Sequence, residues 1–334
     1  MRRRYAINLA LGFLVGGLFL WLALREVHWG ALLEGIKRAD YRWLPPLVLV
    51  ALFSHLLRAW RWQMLLKPLG LRPHVGRAFA SIMIGYMCSY AIPRIGEVVR
   101  AAHLARLERA SFSAVLGTVA MERLLDVLVL LLALGSVLGL YVGRWPLLGG
   151  LWREPTVWLR AHWPLLLAIA CGFALGVLLV WRWYRSGLRV GPLRRFLGAF
   201  GEGLRSVRAL SNPAAFWAST ALMWACYALM TYLPFHMFGL GRLDLLDAWV
   251  LMTLASVGVV LPSPGGTGTY HFFAQQTLML LFSVDRNTAT LYAVITHGAQ
   301  LVAYVLIGWA ALLWTGLPIL PKSPAALAVR EANP

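Results

Sequence analysis

Charge is scarce in this chain: Asp, Glu, Lys and Arg make up 13% of 334 residues, while 60% are hydrophobic and the mean hydropathy is +0.69. That balance excludes an ordinary soluble globular domain and reads as an all-α polytopic membrane protein. Acids are scarcest, 13 against 31 Lys and Arg, which leaves a formal charge of +18. The arginines flank apolar segments instead of forming one aromatic-interleaved basic surface, so nucleic acid is not the expected partner. Membrane topology and anionic headgroups account for them better. Cysteine is nearly absent: Cys88, Cys171 and Cys226 stand alone, with no spacing suited to a metal site or a disulfide framework. Missing too are an H-E-x-x-H run, an Asp-x-Asp sugar-nucleotide site, a Ser-His-Asp order and a phosphatase-like Arg/His set. No cofactor, metal or catalytic residue is expected, and no enzyme class is indicated.

What is present is a series of eight apolar segments, near 6–24, 44–66, 76–93, 112–140, 161–181, 213–238, 246–284 and 287–317. The first follows three arginines, is long enough to span and lacks a small-residue cleavage site, so it reads as a retained helix. Two lengths are anomalous. Only 16 uncharged residues separate Arg77 from Arg94, and 37 lie between Asp247 and Asp285. One crossing needs about 20. Both stretches carry Pro-Gly breaks: Pro93 with Gly96 in the first, and Pro262, Pro264, Gly265, Gly266 and Gly268 in the second. The second run lacks the Gly-Lys-Ser/Thr ending of a nucleotide-binding loop. Broken backbone at membrane depth is tolerated only where protein or a watery cavity satisfies the freed groups, and transporters bind cargo at such places.

Positive-inside counting decides between two topologies. If all eight segments cross, 14 basic residues lie inside and 16 outside, which is no bias. If 76–110 and 246–284 instead enter and leave on one side, the count becomes 21 inside and 9 outside. The charges therefore predict six full crossings plus two re-entrant hairpins, with both termini cytoplasmic in the inner membrane. An offset of 169 carries Pro93 onto Pro262, Gly96 onto Gly265 and 44–66 onto 213–235. Each half then has three crossings and one hairpin, and an odd number inverts the second half. The expected organisation is one membrane domain over 1–320, with repeat halves of about 1–145 and 146–320, and a disordered tail at 321–334. Between the halves, 182–212 carries seven arginines beside an apolar stripe that includes Phe196, Leu197, Phe200 and Leu204, the pattern of a basic interfacial helix. Residues 26–42 form a less basic surface segment on the outer side. Sixteen tryptophans mark segment ends, as amphipathic rings do without a substrate role.

The polar residues at membrane depth are few. Glu122, Arg123 and Asp126 lie within five residues of an otherwise apolar run, and each charge at the bilayer centre costs about 2.5–3.5 kcal/mol on insertion scales. They should face the protein interior. Glu122 and Asp126 share a helix face at i, i+4, with Arg123 about 100° around. Two readings stay open: a structural cluster paired with Arg58 or Arg61 of another helix, or an ion- or proton-coupled site. At the first break, Arg94, Glu97 and Arg100 follow at three-residue spacing and share a face if a helix restarts after Gly96. Guanidinium groups beside a helix N-terminus suit a phosphate, with Glu97 orienting them. His103 reads as an interfacial residue. In the second hairpin His271 is the titratable group, a proton carrier or an ordinary hydrogen-bonded histidine.

These residues carry a resemblance. Arg58-Ala-Trp-Arg61-Trp62, Pro93-Arg94-Ile-Gly96-Glu97 with Arg100, Thr118-Val-Ala-Met-Glu122-Arg123 with Asp126, and Pro262-Ser-Pro264-Gly265-Gly266-Thr-Gly268 resemble, in order and spacing, the lysylphosphatidylglycerol synthase transmembrane, or flippase-like, family of bacteria and archaea. The resemblance implies lipid translocation; the residues themselves are read as a transporter not driven by ATP, with Arg58, Arg61, Arg94, Glu97 and Arg100 at an anionic headgroup and Glu122, Arg123, Asp126 and His271 in charge balance or coupling. The partners it implies are membrane lipids, with a homo-oligomer or a lipid-modifying enzyme as further candidates. Two departures stand out. No soluble synthase domain follows residue 320, so the chain is not expected to aminoacylate lipid. His271 occupies a position where many members have an acid. A membrane-embedded transferase and a non-catalytic partner of another enzyme are the alternative functions.

Overall fold

The computed structural model describes residues 14, 17–24, 29–141 and 191–316. Every regular element among them is helical. In chain order these are α1 (17–24), α2 (Trp29–Arg38), α3 (Leu44–Leu66), α4 (Val75–Ala91), α5 (Ile95–Leu107), α6 (Phe112–Tyr141), α7 (Gly191–Arg205), α8 (Pro213–Met237), α9 (Leu245–Val260), α10 (Thr269–Phe282) and α11 (Arg286–Thr315). The expected crossing at 161–181, the arginines of 182–190, Cys171 and the tail 321–334 lie outside the described residues. Two compact units divide the chain. One comprises 1–130 with 199–334; the other, 131–198, is described at its helical ends 131–141 and 191–198.

Both Pro-Gly breaks interrupt helices, for reasons local to their residues. Pro93 has no N–H and biases its predecessor away from the helical region, so Ile92 is extended (φ −137°, ψ 121°) and Arg94 turns left-handed at φ 66°. In the second break Leu261 and Ser263, each before a proline, are extended, and Gly265, Gly266 and Gly268 take φ values of 57°, 83° and 85°. The helices flanking the breaks are short. At 1.5 Å per residue, α4 and α5 rise about 26 and 20 Å, and α9 and α10 about 24 and 21 Å, less than the ~30 Å of a hydrocarbon core. α4 packs on α5 and α9 on α10, so each pair is a hairpin.

By contrast, Tyr41–Leu69, Pro213–Met237 and Arg286–Thr315 are long and apolar enough to cross a membrane. Their starts are well specified. Asn212 caps α8 through the Ala215 N–H with Pro213 following, and Asp285 caps α11 through the Thr288 N–H. α3 lies mainly along α8, while α4 is enclosed by α3, α5 and α11. Trp62, Leu65, Leu66, Ile82, Met83, Ile84 and Leu104 fill that contact, all fully buried. The outer faces are apolar too: Leu49, Phe53, Leu56 and Trp60 on α3, and Val302, Leu306, Trp309 and Leu313 on α11, are 41–77% exposed. Exposed stripes at i, i+4, i+7, i+11 spacing suit contact with lipid and not water.

Helix bounds recur at the 169-residue offset. α3 shifted by 169 starts at 213, where α8 starts, and α4 shifted by 169 ends at 260, where α9 ends. The shifted α5 covers the 3₁₀ turn Pro264–Gly266 and most of α10, and the shifted α6 overlaps α11.

Candidate functional site

The charged residues of α6 face inward and meet arginines from two other helices. Glu122 is completely buried, and its Oε1 accepts from Arg58 Nη1 at 2.6 Å, from Arg100 Nη2 at 3.0 Å and from Arg123 Nη2. Asp126, one turn on, accepts from Arg61 Nη2 at 2.7 Å through Oδ1 and from Arg58 and Arg123 at 3.1 Å through Oδ2. Arg58 and Arg61 project from α3 and Arg100 from α5, each at most 5% exposed. Arg123 starts about 100° away on α6, yet its length brings Nη2 back over both carboxylates.

Neutral groups complete the cluster. Arg58 Nη2 donates to the Tyr227 hydroxyl at 2.7 Å and Arg61 Nη1 to Thr220 Oγ1 at 3.4 Å, both on α8. The Arg100 guanidinium lies 5.0 Å over the Trp62 ring, and the Trp62 indole N–H donates to Thr118. Four guanidinium groups thus surround two carboxylates, leaving two positive charges without a counter-charge inside the cluster. Among the described residues, the Nε–H groups of Arg58, Arg61 and Arg123 are buried without a partner. A buried N–H left unpaired costs about 1–3 kcal/mol, and this site holds three of them.

Beside the cluster is a small cavity of about 40 Å³ whose walls include Tyr86, Ser89, Glu97, Arg100 and Arg123. That volume admits a few waters or a small polar group. Glu97 forms no hydrogen bond or ion pair among the described residues, so its carboxylate is the unpaired one at this cavity. Gly85 and Gly96 make the α4–α5 hairpin close enough for this arrangement. A Cβ on Gly96 would overlap Ser89 Oγ and the Gly85 carbonyl.

The two breaks touch. Arg94 donates to the Val260 carbonyl, and the Tyr90 ring sits where a Cβ on Gly265 would be. Arg94 is therefore at the seam between hairpins, apart from the cluster holding Arg58, Arg61 and Arg100. The spacing argument placed it with Glu97 and Arg100, but the helix restarts at Ile95 with Arg94 as a left-handed cap, which turns its side chain off the α5 face. Pro93 supplies the break, and Pro262 and Pro264 shape the other one. There the freed groups are met internally: Ser263 and Thr269 hydroxyls lie 2.7 Å apart, and His297 Nε2 donates to the Gly265 carbonyl at 3.0 Å. His271 Nδ1 accepts from the Gly268 N–H at 3.2 Å, so His271 caps the restarting helix. His103 is buried between Ser81 and Thr315.

Three members of the site were not anticipated. Tyr227 is 169 residues beyond Arg58, so the repeat offset itself could have found it. His55, one turn before Arg58 on α3, is packed against Tyr86 and Tyr304 with both ring nitrogens buried and unpartnered. His297 stacks on Tyr270 at 5.3 Å and meets His271 edge-on at 4.8 Å. Among the described residues no group of three His, Cys, Asp or Glu side chains is placed to hold a metal.

A family model described as "Lysylphosphatidylglycerol synthase TM region" matches residues 9–308 of the chain. No curated protein and no solved structure matches it significantly.

Proposed function

The chain belongs to the lysylphosphatidylglycerol synthase TM-region family, and from that premise we propose that it moves a phosphate-bearing lipid between membrane leaflets without ATP. The observation that supports this most is the excess of guanidinium groups: four arginines, three of them buried and Arg123 part-exposed, on two carboxylates, with three Nε–H donors unpartnered among the described residues. A phosphate brings the missing negative charge and several acceptor oxygens in one group, and arginine is the side chain suited to it. Glu122 and Asp126 then have a defined task. They hold the arginines in place while no lipid is present, and share them with the phosphate when one arrives.

The proposed route follows from the repeat. In this reading the second half is inverted, the hairpins enter from opposite faces, and the Arg58–Tyr227 contact lies near the pseudo-two-fold axis. Opening the Arg94–Val260 seam on one side or the other admits the headgroup to the cluster, while the acyl chains stay in lipid along the apolar faces of α3 and α11. The protein works in the inner membrane with both termini cytoplasmic, alone, as a homo-oligomer, or beside a lipid-modifying enzyme.

The test is reconstitution. Proteoliposomes carrying fluorescent phosphatidylglycerol should lose outer-leaflet signal to a membrane-impermeant quencher and then continue to lose inner-leaflet signal faster than protein-free vesicles. Arg58→Gln with Arg100→Gln should return the rate to background. A native protein no faster than empty vesicles with any phosphate-bearing lipid would end this reading. One observation favours a second one: Glu97, unpaired at the cavity, is free to act as a base in a transferase acting on a lipid-linked donor. Turnover in detergent, where there is no second leaflet, separates the two.

A further inference from the structure

A second, larger cavity lies away from the arginine cluster, where α3 ends. Its volume is about 580 Å³, within the range of ligand pockets. One side is the 3₁₀ turn after α3, with Pro68, Leu69 and Leu71; another is the start of α6; the third is 199–209, the end of α7 and the turn after it. The walls are held firmly. Gly117 of α6 and Gly203 of α7 lie so close that a Cβ on either would overlap the other helix's backbone, and Lys67 Nζ donates to Ser211 Oγ at 3.0 Å.

Four polar side chains line this groove, of which Ser111 is paired with the Ser113 hydroxyl at 2.9 Å. Ser206 is 2% exposed and its hydroxyl has no partner. Glu202 and Arg205 are exposed, and at i, i+3 on one helix they are placed to pair. They do not pair with each other, nor with any other side chain among the described residues. An acid and a base held apart, with a buried hydroxyl next to the base, match a ligand carrying both a cation and a phosphate. The groove sits at the ends of α3 and α5 and the start of α6, among Lys67, Arg109, Arg205 and Arg208, and α7 has the stripe of an interfacial helix. Such surroundings suit lipid headgroups.

We propose that this groove binds the headgroup of an aminophospholipid from the adjacent leaflet, its ammonium on Glu202, its phosphate on Arg205 and the Ser206 hydroxyl, and its glycerol against Leu69, Leu71 and Ala114. The site is separate from the arginine cluster and does not depend on transport. It is tested on full-length protein in detergent by native mass spectrometry after incubation with equal amounts of phosphatidylethanolamine and phosphatidylglycerol. The native protein should retain phosphatidylethanolamine at least fivefold over phosphatidylglycerol. Glu202→Gln should erase that preference, and Arg205→Gln with Ser206→Ala should lower retention of both lipids severalfold. Glu202 is exposed and unpaired, so Glu202→Gln should leave the melting temperature unchanged. Equal retention of the two lipids by the native protein, or a preference untouched by Glu202→Gln, overturns the proposal.

Discussion

Replacing Glu122 by Gln puts the arginine cluster to a quantitative test. Oε1 of Glu122 accepts from Arg58, Arg100 and Arg123, with Arg61 Nη2 at 3.8 Å, and Oε2 faces Arg100 Nη1 at 3.5 Å. A glutamine keeps one acceptor, but turns the other end into an NH₂ directed at a guanidinium. The excess of two positive charges becomes three, around a carboxyl site that is completely buried. Removing one partner of a buried ion pair costs about 3–5 kcal/mol, because the charge left behind has nowhere to go. The expected loss for Glu122→Gln is therefore about 3–5 kcal/mol, read from denaturation in mixed micelles by tryptophan fluorescence. Adding Arg100→Gln removes the most directly frustrated charge and should recover part of it, a coupling of about 1–3 kcal/mol between side chains in contact. If the single substitution costs under about 1 kcal/mol, or the double loses the sum of the two singles, the carboxylate is not what holds these arginines. The excess-charge reasoning then fails with it.

Three further outcomes are expected. Tyr227→Phe removes the hydroxyl that accepts from Arg58 and strands a buried N–H, so it should cost about 1–3 kcal/mol in the same denaturation assay. Gly265→Ala meets both a φ of 57° and the Tyr90 ring, and should destabilise by about 1–3 kcal/mol, with partial recovery when combined with Tyr90→Ala, whose smaller side chain removes the overlap. Arg94→Ala removes only the bond to the Val260 carbonyl, so stability should change by under about 1.5 kcal/mol, while crosslinking of engineered cysteines across the hairpin seam should slow as the seam opens more often.

Much of this was legible in the sequence because the signals were discrete. A proline breaks a helix wherever it falls, so Pro93 and Pro262 located both hairpins. Glu122 and Asp126 had to face inward and find cations, since lipid offers them nothing. What sequence spacing could not supply was direction over short distances. Arg94 looked co-facial with Arg100 only on the assumption that the helix restarts after Gly96, and one left-handed residue turned it away. Arg123 was assigned another face, but a guanidinium on a long stem covers 100° of helix surface. His55 gave no signal at all. A histidine among aromatic neighbours is common in helices, and its unpartnered nitrogens become visible only once Tyr86 and Tyr304 enclose it.

Compared across the 169-residue offset, the site is lopsided. Arg58 and Tyr227 lie one 169-residue offset apart and touch. At the same offset, Arg61, Arg100, Glu122, Arg123 and Asp126 correspond to Met230, Thr269, Leu291, Tyr292 and Ile295. The halves share similar helix lengths and breaks, yet every charge of the cluster comes from the first. A symmetric pair would bring eight guanidinium groups and four carboxylates to one axis, doubling both the desolvation cost and the uncompensated charge. With Tyr227 in place of a second arginine, the second half offers a neutral hydroxyl to Arg58 and presses its aromatic and glycine surfaces against the first hairpin. One half thus carries the cluster's charge, and the other packs a neutral wall against it.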